Sequence, residues 1–147
     1  MRNIHYRKFA IFFTLLFAMT SNVYATSAIT VTDGYVKASI PGSEVTASYM
    51  TLSNTSNKAI TLQKVSSTLS DRIEIHEHSM ADGMMRMREV GEIIIKANSK
   101  LVLQPSGLHL MIFSLKQQIT DKDVIPLTLY FANGTEVKIQ LPVLKYK

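Results

Sequence analysis

From residue 27 onward, short runs of β-branched and aromatic residues alternate with clusters of Gly, Pro, Asn, Asp and Ser. No long stretch repeats apolar positions at i, i+3 and i+4. This pattern predicts nine short strands, at 29–38, 46–54, 60–66, 72–78, 84–90, 100–103, 108–115, 125–131 and 136–143. Breaks at Pro41-Gly42, residues 53–57, Ala81-Asp82-Gly83 and residues 104–107 punctuate the strands without dividing domains. Asn133-Gly134 is the clearest hairpin signal, because both residues tolerate the positive φ of a tight two-residue turn. The Ala81-Asp82-Gly83 turn should lay its two flanking strands side by side. The fold class is all-β, a sandwich or barrel.

The N-terminus follows a different rule. Arg2, Arg7 and Lys8 precede an apolar run from Phe9 to Met19, after which Thr20, Ser21 and Asn22 lead to Val23-Tyr24-Ala25. A basic start, a short apolar core and small residues at the −3 and −1 positions mark a secretory signal peptide over residues 1–25, cleaved after Ala25. The eleven-residue apolar run falls short of the roughly 20 residues that a membrane helix needs, so no stable membrane insertion is expected, and no Cys follows to carry a lipid. Residues 26–147 then form one exported domain. Removing the three basic residues from the chain's 16 leaves 13 Lys and Arg against 11 Asp and Glu, scattered along the chain. A nucleic-acid footprint is therefore absent.

The chain has no Cys, which excludes disulfides, thiolate zinc sites, iron–sulfur clusters, thiol nucleophiles and blue-copper sites. The donors it does carry are clustered. Met80, Met84, Met85 and Met87 crowd beside His76 and His78, and His109 stands two residues before Met111. In a strand, residues i and i+2 share a face, so His109 and Met111 can converge on one point. By the same parity His76 pairs with His78 and Met85 with Met87, and the turn between these strands brings a histidine near a methionine. Imidazole nitrogen with neutral thioether sulfur is a soft, low-charge donor set that suits Cu(I) better than Zn(II), Mg(II) or Ca(II).

Plainer readings apply to some of these residues. Met50 reads as a core gap-filler, His78 as a solvent-facing polar residue, and at least one of Met84 and Met85 as structural, since they face opposite ways. Enzyme motifs are missing: there is no paired acid and base, no Gly-x-Ser-x-Gly elbow, no glycine-rich phosphate loop and no His-Glu-x-x-His helix.

With these residues in view, the chain resembles the PCu(A)C family of periplasmic copper chaperones. Their motif is a His, ten residues, a Met, twenty-one residues, then His-x-Met. His76, Met87 and His109-Leu110-Met111 match it without a gap. Further similarity lies in Tyr35-Val36-Lys37-Ala38 with Pro41-Gly42, residues 47–54, residues 82–87, and residues 103–107 before His109. The chain departs from the family at Ser106, where a second Gly is usual, and at Leu144-Lys145-Tyr146-Lys147, which lacks the His- and Met-rich tail of some members.

The resemblance implies a single cupredoxin-like Greek-key β-sandwich or barrel. It would bind one Cu(I), as cargo, through His76, Met87, His109 and Met111. It further implies a non-enzymatic, monomeric periplasmic protein in copper homeostasis. Such a protein delivers copper to the CuA or CuB centre of a haem–copper (cytochrome c) oxidase, directly or through a Sco-type thiol protein. The competing expectation is a secreted β-sandwich interaction module whose methionine cluster is a packing surface and which transfers no metal.

Overall fold

The computed structural model describes residues 27–145. Its strands are β1 (Ile29–Lys37), β2 (Thr46–Asn54), β3 (Ile60–Ser66), β4 (Arg72–Ala81), β5 (Met84–Glu89), β6 (Ile93–Ile95), β7 (Ser99–Leu103), β8 (Leu108–Phe113), β9 (Val124–Phe131) and β10 (Glu136–Leu144). All nine expected strands form, and the chain adds β6, whose three consecutive isoleucines are too few to display a period of two. The expected signal peptide and its cleavage site lie outside the described residues. Among the described residues no helix is long and apolar enough to cross a membrane.

Hydrogen bonds link the strands in the order β5-β4-β8-β2-β1-β10-β9-β3-β6, with β7 also on β2. The pairs are antiparallel except that β1 joins β10 in parallel. The all-β class is as expected, and the two halves are one continuous open sheet joined through β1 and β10. Apolar side chains from both halves close over a shared core that includes Val36, Leu52, Leu62, Leu110, Ile112, Leu127 and Leu129, each 0–1% exposed. Met50 is 1% exposed and fills that core, as expected of it.

Two turns show how local chemistry selects geometry. Asp82 and Gly83 both take positive φ (53° and 73°), the two-residue turn that matches the twist of β4 and β5, and β4 consequently runs on to Ala81. Asn133-Gly134 departs from the expected two-residue form. Of the two, Gly134 alone has positive φ (81°), and the Asn133 side chain accepts a hydrogen bond from the Thr135 N–H at 3.1 Å. That local bond holds Asn133 in the right-handed region and produces a three-residue loop with a glycine bulge.

The strand β2 organises the site. Its edge opposite β1 is shared by β8, at Thr46–Ser48, and by β7, at Met50–Asn54. Between β7 and β8 the chain loops outward over residues 104–107. The loop is closed by hydrogen bonds from the Gln104 N–H to the Leu108 carbonyl (2.6 Å) and from the Gly107 N–H to the Gln104 carbonyl (3.1 Å). Ser106 sits there at φ 60°, a conformation that glycine reaches at less cost. The excursion separates β7 from β8, so that β8 pairs with the first residues of β2 on one side and with β4 on the other.

Candidate metal centre

On β8, Leu110 and Ile112 enter the core while His109 and Met111, by the period of the strand, face the other side, where His109 too is buried. Pairing with β4 sets His109 opposite His76 and Met111 opposite Glu74. Pairing with β5 sets His78 opposite Met87 and Met80 opposite Met85. Residues directly opposite in a ladder share a face, so one sheet surface carries Glu74, His76, His78, Met80, Met85, Met87, His109 and Met111. Counting from the two-residue turn, His78 and Met87 form a non-hydrogen-bonded pair, the closer kind, with Cα atoms about 4.5 Å apart.

These side chains surround a cleft lined by Ser43, Val45, Thr46, Ala47, Tyr49, His78, Met87, Ser106, His109 and Met111. Three of the four residues of the matched motif, Met87, His109 and Met111, line it directly. The fourth, His76, flanks His109 with ring centres 6.1 Å apart, while the His78 ring stands 5.0 Å from that of His109. His78 is thus half-buried at the cleft and not a solvent-facing residue. Met84 and Met85 are both exposed (57% and 65%), so neither packs into the core, because β5 is an edge strand exposed along its whole length.

Hydrogen bonds orient the imidazoles. His109, 3% exposed, donates from Nδ1 to the Gly107 carbonyl at 2.9 Å, which leaves Nε2 as the bare nitrogen. Burial holds its pKa below the ordinary histidine value, the Gly107 bond partly opposing it, so the neutral, ligating form is favoured. His76 Nε2 lies 2.8 Å from a Glu74 carboxylate oxygen. Hydrogen bonds from His76 and then from Arg72 hold the Glu74 carboxyl below the usual range, so it stays ionised and accepts. In the neutral imidazole of His76 the proton therefore sits on Nε2, facing the carboxylate, and Nδ1 is the nitrogen with the lone pair. A carboxylate behind an imidazole in this way fixes tautomer and ring orientation in metal sites.

Nδ1 of His76 and Nδ1 of His78 are both buried without a hydrogen-bond partner. Orphaned buried nitrogens cost stability unless a water or an ion binds them. As the side chains stand, no three His, Cys, Asp or Glu groups among the described residues converge on one ion. The thioethers of Met87 and Met111, on the same cleft as His78 and His109, are the further donors at hand, and thioether sulfur suits a soft cation. Sequence reasoning did not identify Glu74 and Tyr49. Tyr49 is buried beside His109 with ring centres 6.2 Å apart, and the strand pairing alone brings it there.

Comparison with known proteins agrees with this architecture. The chain is 29% identical over 116 residues to Lxx21020 of Leifsonia xyli subsp. xyli, named as a lipoprotein, covering 78% of this chain and 69% of that one. It is 30% identical over 98 residues to RP573 of Rickettsia prowazekii, covering 66% of this chain and 54% of that protein. Among solved structures, the copper-bound PCuAC domain from PmoF2 superposes with a TM-score of 0.70 at 20% identity, over 84% of this chain and 97% of that domain. The solution structure of Cu(I)-bound DR1885 from Deinococcus radiodurans superposes with a TM-score of 0.66 at 27% identity, over 86% of this chain and 84% of that one. The model of the LpqE-like family matches residues 29–143, from the first residue of β1 almost to the end of β10. The chain accordingly belongs to the LpqE-like family, with the fold of the PCuAC domains.

Proposed function

We propose that this protein is a copper chaperone of the cell envelope that carries one Cu(I) as cargo through His76, Met87, His109 and Met111. The observation that carries the reading is that Met87, His109 and Met111 line one cleft, flanked by His76, an imidazole whose Nδ1 has no partner. Four neutral donors leave the site with only the charge of the ion, which favours Cu(I) over Cu(II). The likeness to Cu(I)-bound DR1885 and the copper-bound PmoF2 domain supports the same cargo.

The chemistry suits transfer and not turnover. Without a thiolate the site yields copper to a softer, cysteine-bearing acceptor, and the protein cannot itself reduce a disulfide in its target. The acceptor we propose is a haem–copper oxidase subunit at its CuA or CuB centre, or a Sco-type thiol protein that supplies it. The lipoprotein name of Lxx21020 and the N-terminal sequence support export, with the periplasm as the destination.

The test is anaerobic Cu(I) competition against a chromophoric chelator, using the full chain beside Met87→Ala and His109→Ala. One equivalent bound tightly by the wild type and more weakly by both variants supports the proposal. No uptake, or uptake indifferent to both changes, sinks it and leaves an interaction module whose partner binding ignores copper chelation.

A further inference from the structure

The motif match leaves His78 without a role, yet it lies closer to His109 than His76 does. Two imidazoles on one ion, with metal–nitrogen distances of about 2 Å and a roughly tetrahedral angle, place their ring centres about 5 Å apart. The His78–His109 separation is 5.0 Å. The His76–His109 separation, 6.1 Å, needs a wider angle or a shift of the ring. His78 also lines the cleft together with Met87, His109 and Met111, whereas His76 stands behind it with Nε2 tied to Glu74.

The backbone reinforces this placement. One acceptor, the Gly107 carbonyl, takes hydrogen bonds from His109 Nδ1 at 2.9 Å and from the His78 backbone N–H at 3.3 Å. The same atom therefore sets the ring of one histidine and the strand position of the other. On β5 the direct cross-strand partner of His78 is Met87 and that of His76 is Glu89, while on β8 His76 stands opposite His109. Finally, His78 Nδ1 is buried with nothing to bind.

We infer that His78 is a copper ligand, closing an outer donor set with Met87, His109 and Met111 that shares those three residues with the inner set closed by His76. The two histidines are alternatives to each other and not joint ligands, because His78 lines the cleft while His76 is held behind it by Glu74. The outer set opens on the cleft and captures the ion; the inner set, with the carboxylate of Glu74 behind its imidazole, retains it. This inference rests on the copper reading of the same site.

Overlapping sets have a distinctive mutational signature. If either histidine can close the site, removing one leaves the other, and removing both leaves neither. Cu(I) affinity is measured by anaerobic chelator competition on the full-length wild type, His76→Ala, His78→Ala and the double variant, with His78→Phe retaining the ring volume without a donor nitrogen. Each single change is expected to weaken binding by less than about tenfold and the double change by more than about a hundredfold. His78→Phe should behave as His78→Ala. Side-chain NMR of the wild type gives a second readout, with the His78 ring signals moving on addition of one equivalent of Cu(I).

Should His76→Ala alone produce the full loss, with His78→Ala and the double variant adding nothing and the His78 signals still, the inference is overturned while the copper reading stands. Should the wild type take up no copper, both fall together.

Discussion

Asn54 offers a perturbation whose magnitude follows from counted bonds. It ends β2, is 2% exposed, and its side-chain amide donates to the carbonyls of Lys58 (2.7 Å), Ile95 (3.2 Å) and Lys96 (3.1 Å). Its carbonyl oxygen accepts from the N–H (3.0 Å) and hydroxyl (2.7 Å) of Ser56. An NH₂ group has two hydrogens, so the three acceptors share them and four bonds are effectively independent. At about 1 kcal/mol net each, with partial rehydration of the freed carbonyls, Asn54→Ala should cost about 3 kcal/mol. That is a large part of the 5–15 kcal/mol typical of a domain, and the melting temperature should fall by on the order of 10 °C.

Asn54→Asp sharpens the test. It keeps the oxygen that Ser56 needs but turns an anionic oxygen toward three carbonyls, so it should destabilise at least as much at pH 7 and recover in part as pH falls from the carboxyl's raised folded pKa to its unfolded value of about 4. Urea denaturation and thermal melts of the apo protein supply both numbers. Tyr49, at the cleft, lies five residues along β2, roughly 17 Å away. Cu(I) affinity of the folded variants should therefore equal that of the wild type. A loss below about 1 kcal/mol for the Ala variant, or an Asp variant as stable as wild type, would refute the reasoning.

Met87 is half exposed on an edge strand, so Met87→Ala should lower Cu(I) affinity at least about tenfold while the apo protein melts within about 1–2 °C of wild type; a large drop in melting temperature would show a packing role instead. His109 has a folded pKa below its unfolded value near 6.5, so it contributes stability that is fully present above that value and is lost as pH falls through it toward the lower folded pKa. Denaturation of the apo protein at pH 7.5 and pH 5 should show that loss, and His109→Gln should reduce it; Cu(I) affinity should fall in the same direction as protons compete for the imidazoles. At Gly34 an added Cβ would stand 2.5 Å from Leu141 Cδ2, and Leu141 is 4% exposed, so Gly34→Ala should cost about 1–3 kcal/mol in urea denaturation through overpacking; an unchanged midpoint would mean that Leu141 has room to turn.

Much of this molecule is written locally. Runs of β-branched and aromatic residues along 46–54, 60–66 and 108–115 marked strands that form at or within two residues of those limits, and the spacing of His109 and Met111 placed both on one face before any pairing was known. The absence of cysteine and the abundance of thioether sulfur set the softness of the donor chemistry. These features depend only on residue type and on positions a few residues apart, which the backbone period converts directly into geometry.

Local rules could not say which strands become neighbours. Insertion of β8 between β2 and β4 depends on the excursion at residues 104–107 and on burial of Leu110 and Ile112, and it is what brings Tyr49, His76, His78 and Met87 around His109. Parity put His76 and His78 on the same face; the register with β5 and β8 decided that His78 opens on the cleft while Glu74 holds His76 behind it. Asn133-Gly134 and Asp82-Gly83 look alike as dipeptides, yet the side-chain bond of Asn133 to Thr135 makes the first a bulged loop and the second alone a two-residue turn. Register and neighbour choice are set by the energy of the whole packed core, in which residues distant along the chain share one buried surface, so only the tertiary structure decides them.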